Sequence, residues 1–262
     1  MKYRFFYYGR CLSGLIFLVV WFTPVTGQVF KDSTAYEIIY QQIFNFTGIP
    51  DTSSGVLRNA ENKSVYDYGR RSGRVAKLLR YTDPHGNDHQ VLQAADRGDS
   101  VGYSIYKNLS KRTVVSREKV VNEYFIVYDA EQIEWEIAGQ SKNISGYAAF
   151  NARCHFRGRD YEAWFTKEIP VLDGPWKFSG LPGLILQVSD NTGEVSFSAI
   201  AIQPQQDNSV NIIPPSDYPE FASYISFLEH QKKLEQADEM VGIKAATKKN
   251  STITFKRIKL EM

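Results

Sequence analysis

The sequence predicts a mainly β fold of the α+β class. We expect a large curved antiparallel sheet or a partly open barrel, with one long helix of the C-terminal half packed on it. Short segments rich in Tyr, Phe, Ile and Val are separated by Gly, Asn, Asp and Pro, which is typical of antiparallel strands. Aromatic residues make up 14% of the chain, and they pack well on pleated sheets. Only residues 217–241 carry a clear helical periodicity instead.

The predicted strands follow one another along most of the chain. Each is a short run of β-branched or aromatic residues that ends near a turn-forming residue. They are Ala35–Phe46, Ser64–Tyr68, Val91–Ala94, Gly102–Leu109, Thr113–Arg117, Tyr124–Tyr128, Trp135–Ala138, Tyr147–Phe156, Tyr161–Thr166, Leu184–Ser189 and Glu194–Gln203. Gln203–Ser216 has the composition of a linker, and Ser251–Leu260 is a candidate for a final strand.

The predicted helix begins at Asp217, a residue type that caps helices, with Glu220 three residues later. Apolar residues then recur with a period of three to four from Phe221 to Val241, and Gly242 marks the expected end. A helix of about six turns would therefore pack one apolar stripe on the sheet.

The first 27 residues have the pattern of a secretory signal peptide, followed by a single β-rich domain over residues 28–262. Three basic residues lie within the first ten, Cys11–Phe22 is a short apolar stretch, and small residues precede Gln28. The apolar stretch is shorter than the ~20 residues that a membrane helix needs, so a membrane anchor is the weaker alternative. We therefore expect an exported mature chain without a membrane span.

Removal of the signal peptide changes the charge and the cysteine count. The chain has 31 basic and 29 acidic residues, and three of the basic ones lie in the signal peptide, so 28 remain against 29. This near-neutral balance gives no electrostatic footprint for nucleic acid. Only Cys154 remains, so the mature chain forms no intrachain disulfide. We expect a buried, inert thiol, with an intermolecular disulfide or a reactive thiol as the alternative.

The sequence holds no motif typical of nucleotide binding, of a hydrolase nucleophile elbow or of a zinc site, and we predict no cofactor. The best metal candidates are His85 and His89, because a turn within Asp83–His89 could gather imidazole and carboxylate ligands. The Pro, Gly and Asn of that segment also suit an ordinary hairpin connection, which we favour. Cys154 and His155 are neighbours on a predicted strand and point to opposite faces, which excludes a nucleophile–base pair.

The segment Gly174–Val188 is punctuated by Pro and Gly, so no helix passes through it. Pro182 followed by Gly183 predicts a type II turn that leads into a buried strand beginning at Leu184. The sharper alternative is a fixed loop that lines a ligand or partner site, where glycine allows a close approach.

An Arg- and Trp-rich strand precedes this loop. Arg and Trp are favoured at binding hot spots, which indicates a surface for a ligand or partner. The structural alternative places Trp in the core and pairs the Arg side chains with carboxylates at the sheet rim. The candidate surface residues are Arg157, Arg159, Trp164, Trp176, Leu181, Pro182 and Gly183.

The block Trp135–Ser189 contains short strings in a fixed order. They are Gly146-Tyr147, Gly158-Arg159, Ala163-Trp164-Phe165-Thr166, Glu168-Ile169-Pro170, Gly174-Pro175, Lys177-Phe178 and Gly180–Ile185. In these strings the sequence resembles the GLPGLI family of exported proteins from Bacteroidota, named for the last of them. One departure is that relatives often carry a Cys shortly after the Gly-Tyr pair, where this chain has Ala148-Ala149.

The resemblance implies an exported protein of a diderm bacterium, in the periplasm or outer cell envelope, with no assigned activity. Proteins of this kind are associated with outer-membrane uptake systems. We favour a non-enzymatic binding or interaction protein whose partner is an envelope protein or an apolar ligand. The alternative is a metal-dependent or hydrolase-like envelope enzyme, which a convergent cluster of His and carboxylate side chains would support.

If residues 1–27 are a signal peptide, the chain made with its own N-terminus in a diderm host matures to a protein that begins at Gln28. N-terminal sequencing and intact mass of the protein in the periplasmic fraction measure this. A variant that begins at Gln28 after its start codon is the control and stays in the cytoplasm. Recovery of the uncleaved 262-residue chain from membranes would contradict the prediction.

Overall fold

The structure is a computed structural model that describes residues 35–46, 48–70, 77–82, 88–93, 99–130, 132–205 and 212–248. The predicted signal peptide and the predicted strand Ser251–Leu260 lie outside the described residues, and so do the side chains of His85 and His89. The division into a signal peptide and one domain stays a prediction.

Fourteen strands and one helix lie within the described residues. In chain order they are β1 (Ala35–Phe44), β2 (Asp51–Ala60), β3 (Lys63–Tyr68), β4 (Lys77–Thr82), β5 (Asp88–Gln93), β6 (Tyr103–Asn108), β7 (Thr113–Val120), β8 (Glu123–Asp129), β9 (Glu136–Ile144), β10 (Tyr147–Phe156), β11 (Arg159–Thr166), β12 (Leu184–Asp190), β13 (Val195–Gln205), β14 (Glu220–Phe221) and α1 (Tyr224–Lys248). Twelve strands form one sheet in the order β14-β8-β7-β6-β3-β2-β1-β13-β12-β11-β10-β9, and β4 pairs with β5 in a separate hairpin.

The prediction of a mainly β chain with one helix is confirmed. The twelve-stranded sheet is open, and it is mixed rather than purely antiparallel, because β14 lies parallel to β8. Parallel neighbours need a long connection, and β14 reaches β8 after the chain has crossed the rest of the sheet.

The antiparallel hairpin of β4 and β5 brackets residues 83–87, which agrees with the hairpin interpretation of that segment.

The sequence analysis predicted no strand at the positions of β2, β4 and β14. The residues of β2, DTSSGVLRNA, are mostly polar and contain Gly55. Its inner face is completed by a neighbour, because a Cβ at Gly55 would lie 2.0 Å from the hydroxyl oxygen of Tyr66. That hydroxyl donates to Gln42 Oε1 at 2.9 Å. Packing against adjacent strands thus overrides a weak intrinsic preference.

The helix prediction was right in kind and wrong in its bounds. Asp217 has a φ of 78° in a turn before the helix, and Phe221 belongs to β14. The helix begins at Tyr224, and the Ser223 hydroxyl accepts a hydrogen bond from the Ser226 amide at 3.2 Å as its cap. It continues past Gly242 to Lys248, since a single glycine inside a helix is tolerated.

The main core packs the inner face of the sheet against the connection between β11 and β12. Strand side chains such as Phe156, Tyr161 and Phe197 contact Phe178 of this connection. Trp176, 2% exposed, packs edge-on against Phe156 and Phe178. A second cluster joins the first helical turns to β7 and β8. The β11–β12 connection is therefore part of the core and not a loose surface loop.

Candidate functional site

A buried ion pair holds the β11–β12 connection, residues 167–183, to the sheet. Lys107 of β6 and Asp173 of the connection have side chains that are 1% and 0% exposed. The Lys107 ammonium also donates to the carbonyl oxygens of Gly174 at 2.7 Å and Phe178 at 3.2 Å. Burial lowers the pKa of Lys107, and the Asp173 charge opposes that shift. Because all three ammonium hydrogens have partners here, the lysine acts as an anchor for the connection.

Backbone bonds and a tight glycine reinforce this anchor. The Ile185 amide donates to the Asp173 carbonyl at 2.9 Å, and the Tyr40 hydroxyl donates to the Ile185 carbonyl at 2.6 Å. A Cβ at Gly174 would lie 2.8 Å from the side chain of Ile185. The connection is therefore fixed by a lysine, a tyrosine and close backbone packing.

The turn at Pro182-Gly183 differs from the predicted type II turn. The Gly183 amide donates to the Leu181 carbonyl at 2.8 Å, which makes a three-residue γ-turn centred on Pro182. Gly183 has a φ of 147°, whereas the third residue of a type II turn has φ near +80°. A Cβ at Gly183 would lie 1.9 Å from the Thr166 carbonyl oxygen. The close approach that the sequence indicated for this glycine is thus made to the protein's own backbone.

A second buried group of charges lies between this connection and the helix. Arg157 donates to Asp129 Oδ2 at 2.6 Å, and Lys177 Nζ lies 3.6 Å from the same oxygen and 3.8 Å from Glu118 Oε1. Arg157 Cζ lies 3.6 Å, and Lys177 Nζ 4.7 Å, from the ring centroid of Tyr224. We call these five residues the Arg157–Lys177 network. Two cations, two carboxylates and one electron-rich ring balance one another there.

Two open clefts flank the first residues of β7. The loop cleft, about 390 Å³, is walled by residues that include Lys107, Arg112, Glu134, Leu172, Lys177 and Gly180. The helix cleft, about 320 Å³, is walled by residues that include Tyr128, Asp129, Arg157, Ser223, Tyr224 and Ile225. Thr113 and Val114 line both clefts. We refer to the pair as the double cleft.

Large apolar side chains are exposed around the double cleft. Leu172 at the loop cleft is 48% exposed, and Tyr128 and Ile225 at the helix cleft are 41% and 71% exposed. The connection walls the loop cleft, and members of the Arg157–Lys177 network line each cleft, Lys177 the loop cleft and Asp129, Arg157 and Tyr224 the helix cleft. A rigid, internally neutralised floor with apolar side chains at its rim is a suitable geometry for binding.

The structure does not bring the seven candidate surface residues together on one surface. Trp176, Leu181 and Gly183 are buried, and Trp164 is half-buried with Lys142 Nζ 3.9 Å from its ring. Arg159 pairs with Asp190 and Glu194, and Pro182 is exposed. Among the seven candidates only Arg157 lines the double cleft. The buried Trp176 and the paired Arg side chains match the structural alternative, and a binding role for the seven stays a prediction.

The residues that sequence reasoning missed lie in the same block. Leu172, Lys177, Ser179 and Gly180 wall the loop cleft, and none of them was a candidate. Leu172 could have been noticed as a large apolar residue in the short segment between Pro170 and Gly174. Nothing local distinguishes Lys177, because its position depends on contacts with distant strands.

A third, larger groove of about 700 Å³ lies over β10, β11 and β12. His155 Nδ1 lies 2.7 Å from Asp160 Oδ1, and the two side chains are 68% and 65% exposed. Cys154 is among the lining residues of this groove, and it is buried, as predicted. Burial, and then the Asp160 charge, raises the pKa of this thiol to about 12. The thiol therefore stays protonated at neutral pH, which fits the inert role.

Two negative findings apply to the described residues. No three of their His, Cys, Asp and Glu side chains are grouped so that they could hold a metal ion. None of their helices has the length and hydropathy that a membrane crossing needs.

The comparison with protein families points to the block that walls the double cleft. A family model described as "Protein of unknown function (Porph_ging)" matches residues 157–187, and the family is associated with Bacteroidota. The matched stretch runs from Arg157 of the helix cleft to the connection that walls the loop cleft. The sequence matches no curated protein.

The fold is similar to part of a known structure. Two structures of PNGF-II, in space groups P21 and C2, align with TM-scores of 0.51 and 0.50 at 16% identity over 77% of this chain. The chain spans about a third of PNGF-II, 34% and 33% in the two alignments. An outer membrane lipoprotein-sorting protein domain from Vibrio parahaemolyticus aligns at a TM-score of 0.24 and 8% identity over 67% of this chain and 87% of that domain, too low to carry an argument. At this identity the PNGF-II likeness shows the fold alone.

Replacement of Gly183 by valine will destabilise the protein by well over ~1 kcal/mol, since the new side chain meets both a positive φ and a backbone oxygen. Gly180→Val is the matched control. Gly180 also has a positive φ, 95°, but no atom lies within 4 Å of a Cβ built there. Denaturant unfolding measures both variants. Equal losses for the two would contradict the close approach at Thr166.

Proposed function

We propose that this protein is a non-enzymatic binding or accessory protein of the cell envelope that engages its ligand or partner through the double cleft. The observation that carries the proposal is that the family-matched stretch supplies walls to both clefts. Arg157 enters the helix cleft, and Leu172, Lys177, Ser179 and Gly180 enter the loop cleft. The family-matched stretch shapes this surface, and exposed apolar side chains border it. Both features support a binding role for the surface.

The proposal includes export to the periplasm or outer envelope of a diderm bacterium, as an accessory of outer-membrane uptake. Its support is the signal-peptide pattern of residues 1–27 and the resemblance to the GLPGLI family. The occupant is an envelope protein or an apolar ligand.

The clefts are suited to binding because their walls are already in place. Lys107, Asp173 and Tyr40 fix the connection that forms one wall, and the buried ring of Tyr224 fixes the first helical turn against Arg157. A preformed surface loses little conformational entropy when an occupant arrives. The two volumes, about 390 and 320 Å³, fall at the lower end of the roughly 300–1,000 Å³ common for small-molecule sites.

The enzyme alternative has one observation in its favour. Asp160 orients His155 as a carboxylate orients a general base, and Asn191 Nδ2 lies 3.4 Å from the other Asp160 oxygen. Both members of the pair are about two-thirds exposed on an open sheet face. Such a site neither excludes water nor aims fixed donors at a developing charge, so we rank this alternative second.

A photo-crosslinking amino acid placed at Ile225 or at Leu172 tests the proposal in the native envelope. Crosslinking from each cleft position is expected to give a discrete adduct with the occupant, detected by gel shift and mass spectrometry. Ile213 and Ile200, 63% and 60% exposed and outside both clefts, are the matched control positions. Equal labelling from all four positions, or none from the cleft positions, would overturn the assignment of the double cleft.

A further inference from the structure

We propose that the occupant of the double cleft is a segment of a partner protein that presents two apolar side chains, flanked by charges of both signs. This inference rests on the proposed function and names the partner class for the same site. Shape, charge and composition of the described surface each favour such a segment over a lipid.

The shape of the surface favours two separate anchors. Because Thr113 and Val114 line both clefts, the start of β7 stands between them. A single acyl chain is best buried in one continuous channel. To occupy both clefts it would have to cross the ridge that the start of β7 forms between them. Successive outward side chains of a protein segment can instead enter neighbouring clefts while its backbone passes over the ridge.

The charges of the surface favour a protein over a membrane. On the floor, Arg157 is neutralised by Asp129, and Lys107 by Asp173. At the exposed rim of the loop cleft, Arg112 and Glu134 bring charges of opposite sign. Anionic membrane surfaces attract clusters of basic residues, whereas the two exposed charged side chains among the described lining residues of the loop cleft are one base, Arg112, and one acid, Glu134. A segment with an acidic residue facing Arg112 and a basic residue facing Glu134 is the complementary partner.

The exposed apolar side chains at the two clefts suit contacts with a protein segment. The exposed apolar residues are Tyr128, Leu172 and Ile225, and charge is confined to the rim or paired beneath them. Exposed aromatic and aliphatic side chains with Arg nearby are typical of protein–protein contacts. Each cleft would hold one apolar anchor, and both anchors would be needed for stable binding.

The test uses linear 12-residue peptides selected by phage display on the mature full-length protein, with affinities measured by isothermal titration. Ile225→Glu and Leu172→Glu should each weaken the selected peptides by ~10-fold or more, the loss typical of a hot-spot side chain. Ile213→Glu is the matched control and should change the affinity by less than ~2-fold. Thermal melts confirm that these exposed substitutions leave the fold intact.

The charge complementarity is tested with the same peptides. Arg112→Glu should weaken peptides that carry an acidic residue, and the corresponding Lys-substituted peptides should recover affinity for that variant. Vesicles of phosphatidylethanolamine and phosphatidylglycerol serve as the lipid probe. Two apolar positions in the selected peptides, sensitivity to both cleft variants and no vesicle binding are the expected result.

Three outcomes would overturn the inference, and they separate it from the proposed function. If vesicles bind and the cleft variants abolish that binding, the double cleft is a lipid site and only the partner class is wrong. If only one cleft variant affects the peptides, the two-anchor arrangement is wrong. If no cleft variant changes the binding of peptides or vesicles, the inference and the proposed function both fail.

Discussion

The buried ion pair between Lys107 and Asp173 is the contact on which the arrangement of the clefts depends. It joins β6 of the sheet to the β11–β12 connection, and the same ammonium donates hydrogen bonds to the Gly174 and Phe178 carbonyl oxygens. A buried pair of this kind adds little net stability relative to well-packed apolar residues. Loss of one partner, however, leaves an uncompensated buried charge. The pair therefore acts mainly by specifying one position for the connection, and with it the wall of the loop cleft.

A strained residue, Trp176, links the connection to the residues beneath the helix cleft. Trp176 is a buried non-glycine residue with a φ of 49°, a conformation that costs of order 1–3 kcal/mol. Its ring is held among Phe156 and Phe178, and the next residue, Lys177, extends towards Asp129 and the ring of Tyr224. The connection thus reaches the Arg157–Lys177 network under the helix cleft. The connection walls the loop cleft and meets the residues beneath the helix cleft through Lys177, so the family-matched stretch shapes the proposed binding surface together with distant strands.

Local signals sufficed where the pattern is strong. The strand Tyr147–Phe156 has its predicted bounds, and the buried strand after Gly183 begins at Leu184 as expected. Local patterns did not predict a strand where packing against neighbouring strands determines it. In β2, for example, the side chain of Tyr66 covers Gly55 and completes the inner face. The site was harder still. The sequence marked the block that supplies walls to the double cleft, but its candidates Trp176 and Leu181 are buried within the connection. The residues that face the clefts are set by the sheet order, which brings β6, β7, β8 and the β10–β11 turn against the connection, and no local pattern encodes that order.

The most direct test of the central claim is a double-mutant cycle on the free energy of unfolding, with Lys107→Met, Asp173→Asn and the combined variant. Each single change leaves the other buried member of the pair without its partner. Each should therefore lower the free energy of unfolding by about 3–5 kcal/mol. The combined variant should lose clearly less than the sum of the two, since it removes both charges together. Additive losses, or single losses below ~1 kcal/mol, would contradict the claim that this ion pair fixes the connection.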